Sequence, residues 1–258
     1  MDEEAALIER AAGGDRRAFD ALLVPHVRKL HSYLARLVAH AQDAEDLLQE
    51  ATLQAFRKLA SFRGESSFAT WLFAIATRLA LTHLRARTRW SPTVQLEMHD
   101  RAQQDEAFLG ELGGELGRPD FRYEVGEHVA YCFSCVGRSL DPEESAAVLL
   151  AEVFELPNRD AAKALDLSES TFRHRLAAGR RAMETTFEGM CALVGKQGAC
   201  HQCATLRELS PPDRRGPDVP AIASHQRRLA IVRDADVAAG PTARMHAAML
   251  RFIAKHAE

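Results

Sequence analysis

Asp43, Asp46, Gln49 and Glu50 recur at three- and four-residue steps, the spacing that places side chains on one face of a helix. From Leu37 to Phe56 there are four acidic residues and no Lys or Arg. A face of this kind suits a basic protein surface. From Ser66 to Leu96 the sign reverses: no acid occurs, while Arg78, Arg85, Arg87 and Arg89 are present with His83. That stretch suits phosphate. Between the two runs Ser61 to Ser67, a polar loop containing Gly64 and bracketed by Phe62 and Phe68. Aromatics beside Gly and Ser, just ahead of a basic helix, could stack or pocket an unpaired base. Phe62, Phe68, Trp71 and Phe73 are too many to serve outside, so most are expected in the core. Charge alone leaves a second reading open, a solvated helical hairpin with uneven charge.

A second basic cluster follows Ser168. Glu169, Ser170, Thr171, Arg173, His174 and Arg175 fall on the first turns of a helix that also carries Arg180 and Arg181. A short helix and a tight Asp166-Leu167-Ser168 connection precede it. Two helices, a short turn and a basic second helix make the helix-turn-helix pattern, whose first turns meet base edges. Arg180 and Arg181 are suited to phosphates.

The remaining chemistry is sulfur. Cys132-Phe133-Ser134-Cys135 and Cys200-His201-Gln202-Cys203 are two CxxC pairs, and Cys191 stands alone. Paired CxxC units commonly build four-thiolate zinc sites. The expectation is one ion, zinc, held by Cys132, Cys135, Cys200 and Cys203, with Cys191 outside the set. Two other readings stand beside it: buried thiols packing as small hydrophobes, and a thiol–disulfide sensor. No cofactor is otherwise required. Gly110 to Gly117 reads GELGGELG, which is not a dinucleotide fingerprint, and no strand precedes it. No HExxH, P-loop or nucleophile motif is present, so catalysis is not expected.

The elements that position these residues are helical. Asp2 to Gly14 reads as a short helix closed by Gly13-Gly14, and Asp15 can cap the next. Pro25 would mark a bend or a fresh start in it. Leu30, Tyr33, Leu34, Leu37 and Val38 continue an apolar stripe. The basic helix is expected from near Phe68 to about Arg89, and Ser91-Pro92 ends it. Thr93 to Pro119, polar and glycine-rich, reads as a linker with one weak helical segment around Asp105 to Leu112. Asp141-Pro142-Glu143-Glu144 is a helix start with an Asp cap and Pro at the first position. The helix after Ser168 is expected to about Leu193, with a break at Gly189. Ser210 to Pro220 reads as a linker, and Ala221–Arg233 and Thr242–Lys255 as short amphipathic helices. No strand alternation appears, so the fold class is all-α, with two small helical domains. The divisions are residues 1–90, a linker at 91–119, residues 120–195, and a cysteine-containing extension at 196–258.

Composition is compatible with this. At 258 residues the chain suits one or two domains, and its net charge of −3 conceals strongly segregated patches. No apolar run approaches a membrane span, and the acidic Met1-Asp2-Glu3-Glu4 lacks a signal-peptide pattern, so a cytoplasmic location is expected.

Asp43-Ala44-Glu45-Asp46-Leu47-Leu48-Gln49-Glu50 followed by Phe62-Arg63-Gly64-Glu65-Ser66-Ser67-Phe68-Ala69-Thr70-Trp71-Leu72 resembles region two of the sigma-70 family, in its extracytoplasmic-function branch. Arg138-Ser139-Leu140, Asn158 to Ser168 and Thr171 to Arg180 resemble region four. The resemblance covers roughly residues 15–190 and lacks the long third region of housekeeping members. It implies that the chain directs core RNA polymerase to promoters and assists their melting. By this likeness Asp43, Asp46, Gln49 and Glu50 bind the polymerase clamp. Phe62, Arg63, Ser66, Ser67, Trp71, Arg78, Arg85 and Arg87 handle the minus-ten element. Ser170, Thr171, Arg173, His174, Arg175, Arg180 and Arg181 handle the minus-thirty-five element. Arg78 stands where the family usually has Asn and Thr82 where it often has Asp, so base preference is not carried over. The partners implied are core polymerase and promoter DNA, with room for an anti-sigma factor and none for a membrane. Two other functions are open to the residues: a helix-turn-helix regulator acting without polymerase, and a zinc-stabilised interaction protein. The tail beyond Cys203 is extra to the family pattern, and an autoinhibitory lid, a partner-docking segment and inert packing are all open to it.

Overall fold

The computed structural model describes residues 3–194, 198–216 and 224–257. It is helical throughout, with no strand among the described residues. The helices in chain order are α1 (Glu3–Ala12), α2 (Arg16–Val38), α3 (Ala41–Lys58), α4 (Phe68–Arg85), α5 (Val94–Gln104), α6 (Glu106–Leu116), α7 (Val125–Gly137), α8 (Pro142–Val148), α9 (Asn158–Ala164), α10 (Glu169–Met190), α11 (Gln202–Leu209), α12 (His225–Asp234) and α13 (Ala243–Ala257). A π-helical turn, Leu149–Val153, continues α8.

The capping chemistry reads directly from the sequence. The Asp15 carboxylate accepts from the Ala18 N–H at 3.1 Å, and Ser67 and Ser168 each accept from a Thr N–H three residues on, both at 3.1 Å. Asp141 caps α8 by accepting from the Glu143 N–H at 3.0 Å. His40 caps α3, its Nδ1 accepting from the Asp43 N–H. Asp166 takes φ 57° in the turn before α10, a conformation Asp tolerates. Pro25 lies inside α2 without dividing it, and α10 runs through Gly189.

Three expectations are corrected. The basic helix stops at Arg85, so Arg87 and Arg89 follow it in irregular chain. Residues 91–119 hold two helices, α5 and α6, where a linker with one weak helix was expected. The reason is tertiary: Val94, Met98 and Phe108 are buried, and the Phe108 ring lies 4.3 Å from Phe252 of α13. Polar, glycine-rich helices gain their stability from such packing rather than from propensity. The third is α11, within a stretch read only for its cysteines; it buries Cys203 and Leu206. Of the expected linker Ser210–Pro220, residues 217–220 lie outside the described residues, as do 221–223 of the expected helix Ala221–Arg233.

The helices before and after α5–α6 share one buried core. Helix α4 packs on α8 and α9, and α2 packs on α7. Trp90 seals the junction: its backbone N–H donates to Arg138 O at 3.2 Å, and the Arg138 guanidinium lies 5.3 Å from the indole ring. Helices α8 and α10 cross closely at Gly179 of α10, where a Cβ would stand 2.9 Å from Glu144 O and from Val148 Cγ2. Gly179→Val is therefore expected to destabilise the fold by about 1–3 kcal/mol, because α8 backbone must move to admit the side chain. Urea unfolding checks this, and an unshifted midpoint would contradict the crossing.

Candidate nucleic-acid and protein interfaces

Helix α3 turns Ala44, Ala51 and Ala55 inward and leaves Asp46, Gln49 and Glu50 exposed. Asp46 and Glu50 meet only helix neighbours, Gln42 at 3.2 Å and Gln54 at 2.9 Å. Asp43 differs. It is half-buried, and its Oδ2 lies 3.1 Å from His83 Nε2 and 3.1 Å from Arg87 Nη2. Three of the four acidic-face residues thus form an open patch, and the fourth tethers α3 to α4.

The loop aromatics are packed rather than free. Phe62, Phe68 and Trp71 form one cluster with ring centroids 5.2–6.3 Å apart. Phe68 is fully buried, while Phe62 and Trp71 keep partly exposed faces. Arg63, Ser67 and Arg78 are exposed and Ser66 is half-exposed.

On α10, Phe172 and Leu176 anchor the helix in the core. Ser170, Thr171, Arg173 and His174 project outward, and Arg173 meets only Glu169, at 3.2 Å. Arg181 is exposed as well. Two other arginines are occupied. Arg175 Nε lies 3.3 Å from Glu143, and Arg85 Nη2 of α4 lies 3.0 Å from the same carboxylate. Glu143 therefore joins the two basic helices. Lys163 of α9 adds a bond to Glu65 O at 2.6 Å.

Arg180 is bound to Glu152, a buried carboxylate that also meets His225 Nε2 at 2.9 Å. Burial raises the Glu152 pKa, but hydrogen bonds from His225 and Arg180 outweigh it and hold the group below its usual value. The Glu152 carbonyl also accepts from Arg233 at 2.7 Å. On α2 the buried Arg36 donates to Val232 O and Ala235 O, at 2.9 and 2.7 Å. Helix α12 thus straps α2 to the π-helical turn beneath α10.

Sequence reasoning missed Glu143, Glu152, Arg36 and His225. The acids after Pro142 read only as first-turn charges favourable to a helix start. Nothing local says that Glu143 will meet arginines from two distant helices.

The expected zinc set is not assembled. Among the described residues, no three His, Cys, Asp or Glu side chains are placed to hold a metal ion. Cys132 and Cys135 both lie on α7, where residues three apart have Cβ atoms about 5–6 Å from each other. Cys135 turns to Tyr131 and Gln95, and burial pushes its thiol up to about 12. Burial raises the Cys132 thiol as well, and Cys203, Cys200, Cys135 and Cys191 all lie within electrostatic reach of it.

Two family profiles match this chain. The sigma-70 region 2 profile matches residues 22–89, and the sigma-70 region 4 profile matches residues 135–183. The chain is 31% identical over 189 residues to the RNA polymerase sigma-H factor of Pseudomonas aeruginosa, covering 73% of this chain and 95% of that protein. It is 33% identical over 181 residues to the ECF RNA polymerase sigma-E factor of Escherichia coli (strain K12), covering 69% and 91%. The solved structure of CnrH in complex with the cytosolic domain of CnrY aligns with a TM-score of 0.47 at 21% identity, covering 72% of this chain and 98% of that one.

Proposed function

This chain belongs to the sigma-70 family, in its extracytoplasmic-function branch, and from that premise we propose how its own residues carry out transcription initiation. It is an RNA polymerase sigma factor, with core polymerase and promoter DNA as its partners. Phosphodiester chemistry belongs to the core; this chain binds and positions, in the cytoplasm where the polymerase works. No described helix is long and apolar enough to cross a membrane. Asp46, Gln49 and Glu50 dock on the core. Arg63, Ser66, Ser67 and Arg78, with the exposed faces of Phe62 and Trp71, engage the minus-ten element. The first turns of α10 read the minus-thirty-five element.

The observation that carries this reading is on α10. Phe172 and Leu176 fix the helix while Ser170, Thr171, Arg173 and His174 stand outside it, the arrangement a recognition helix needs. Arg85 and Arg175 share Glu143, so phosphate competes with that carboxylate for both side chains. Pull-down with core polymerase followed by run-off transcription tests the whole reading.

A finer test separates base contacts from phosphate contacts. Arg173→Ala is expected to cost about 1–3 kcal/mol and relax specificity at one position. Arg181→Ala is expected to weaken binding evenly across sequences and flatten its salt dependence. Arg180, held by Glu152, is a poor choice for this comparison because its loss also disturbs the fold. Identical behaviour of Arg173→Ala and Arg181→Ala would remove the base-reading role.

A further inference from the structure

The fold gives the cysteines unequal surroundings. Cys191 and Cys200 are paired across an isolated parallel bridge. Ala192 N donates to Cys200 O at 3.2 Å and Cys200 N to Met190 O at 2.9 Å, which fixes their register. Residues so paired lie about 4.8 Å apart, inside the roughly 4.4–6.8 Å that disulfides span between Cα atoms. Gly198 enforces the approach, since a Cβ there would stand 2.4 Å from the Cys191 carbonyl carbon. Cys191 is half-exposed, whereas Cys132, Cys135, Cys200 and Cys203 are buried.

Beside Cys191 lies Arg228 of α12, with only 3% of its surface exposed. Its guanidinium sits 3.5 Å from the Phe187 ring, its Nη2 has no hydrogen-bond partner, and no carboxylate among the described residues pairs with it. The guanidinium hydrogen-bonds the Cys191 side chain, so a cation stands beside the one half-exposed thiol among the described cysteines. Burial raises the Cys132 and Cys200 thiols and pushes Cys203 up to about 12.

We propose that Cys191 is a hydroperoxide-reactive thiol and that Cys200 resolves its oxidised form into a Cys191–Cys200 disulfide. The Cys191 thiolate attacks one peroxide oxygen. The O–O bond breaks, sulfur becomes a sulfenic acid, and the displaced oxygen takes a proton and leaves as alcohol, or as water from hydrogen peroxide. The Cys200 sulfur then attacks the Cys191 sulfur. The S–S bond forms, the S–O bond breaks, and hydroxide leaves as water with the Cys200 proton. Two thiols and one hydroperoxide give one disulfide, one alcohol and one water, with two electrons passing from sulfur to peroxide.

The consequence falls on α12. Once Cys191 is in a disulfide its sulfur turns to Cys200, and Arg228 loses that hydrogen-bond partner while staying buried. Removing the partner of a buried charged donor is destabilising. Helix α12 carries the carbonyl of Val232 and precedes that of Ala235, both of which hold Arg36 of α2, so oxidation loosens the strap between α2 and the helices around α10.

The test uses the full-length reduced protein treated with equimolar hydrogen peroxide, alkylated, and digested without reductant. Cleavage at Lys196 puts Cys191 and Cys200 on separate peptides unless a disulfide joins them. The expected result is that linked pair, with the loss of two alkylatable thiols, abolished in Cys191→Ser and kept in Cys135→Ser. In the untreated native protein Cys191 is expected to alkylate before the other four. Arg228→Gln is expected to slow its oxidation about tenfold. Amide exchange in α12 is expected to rise at least tenfold on oxidation. All five thiols surviving peroxide, a Cys200–Cys203 link, or zinc bound to Cys200 and Cys203 in the purified protein would overturn the proposal. Unchanged α12 exchange in the disulfide form would overturn its coupling to the strap.

Discussion

Reversing Asp46 and Glu50 to lysine together is expected to abolish binding to core polymerase while leaving helical content unchanged. Both carboxylates are exposed on α3, and their contacts are single bonds to Gln42 and Gln54 on the same helix. Neither holds the fold, so reversal acts on the interface alone. Truncating one partner of a buried interfacial charge pair typically costs about 2–5 kcal/mol, and reversal replaces attraction with repulsion. Two such changes are expected to weaken binding at least roughly a thousandfold. Asp43 is the contrasting control. Its carboxylate holds His83 and Arg87, so Asp43→Asn is expected to loosen α3 from α4 and lower the unfolding midpoint as well as the affinity. Titration of core polymerase with labelled protein, beside circular dichroism, reads both effects. Unchanged affinity of the double reversal would remove α3 as the docking face.

Mild acid is expected to unfold this protein through a histidine pair. His128 of α7 and His246 of α13 are fully buried, joined Nδ1 to Nε2 at 3.0 Å, and His246 stacks on Tyr131 with centroids 4.8 Å apart. Burial lowers the His128 pKa to about 3. Burial, then the neighbouring His128, lowers that of His246 well below its ordinary value. Both rings are therefore neutral in the folded state, whereas the unfolded chain takes up protons near pH 6.5. Stability is full above that value and falls as pH drops below it, by about 2 kcal/mol per ring at pH 5. Glu127, whose carboxyl is raised by burial against its bonds from Thr242, works in the opposite sense because the folded state gains its proton more readily. The pair's loss of about 4 kcal/mol at pH 5 is a large part of a typical domain's total stability. Urea unfolding at pH 7.5, 6.5, 5.5 and 5.0 is expected to show the decline, with about half of it removed in His246→Gln. A flat profile would show that the two rings are not both neutral in the folded protein.

The elements around the two interfaces were legible because their signals are local. Asp15, Ser67, Asp141 and Ser168 cap helices through side-chain bonds to N–H groups two or three residues away, so spacing alone finds them. The apolar stripe of Phe172 and Leu176 likewise tells which side of α10 is left for Ser170, Thr171, Arg173 and His174. The acidic face of α3 follows from the same periodicity.

What only the tertiary structure decided is which of those charged groups are free. Arg85, Arg175 and Arg180 look like Arg173 and Arg181 in sequence, yet Glu143 and Glu152 occupy the first three. Those acids lie far from Arg85 and from His225 along the chain, and no helical period links them. The same holds for residues 94–116, whose polar composition reads as linker until Phe108 meets Phe252. It holds for the cysteines too. Spacing pairs Cys132 with Cys135 and Cys200 with Cys203, but Cys135 is buried against Tyr131 and Gln95, and a backbone bridge sets Cys191 against Cys200. Sequence fixes what each segment prefers within a few residues. Long-range burial and charge pairing, available only after the chain closes on itself, decide which preferences are satisfied internally and which remain for a partner.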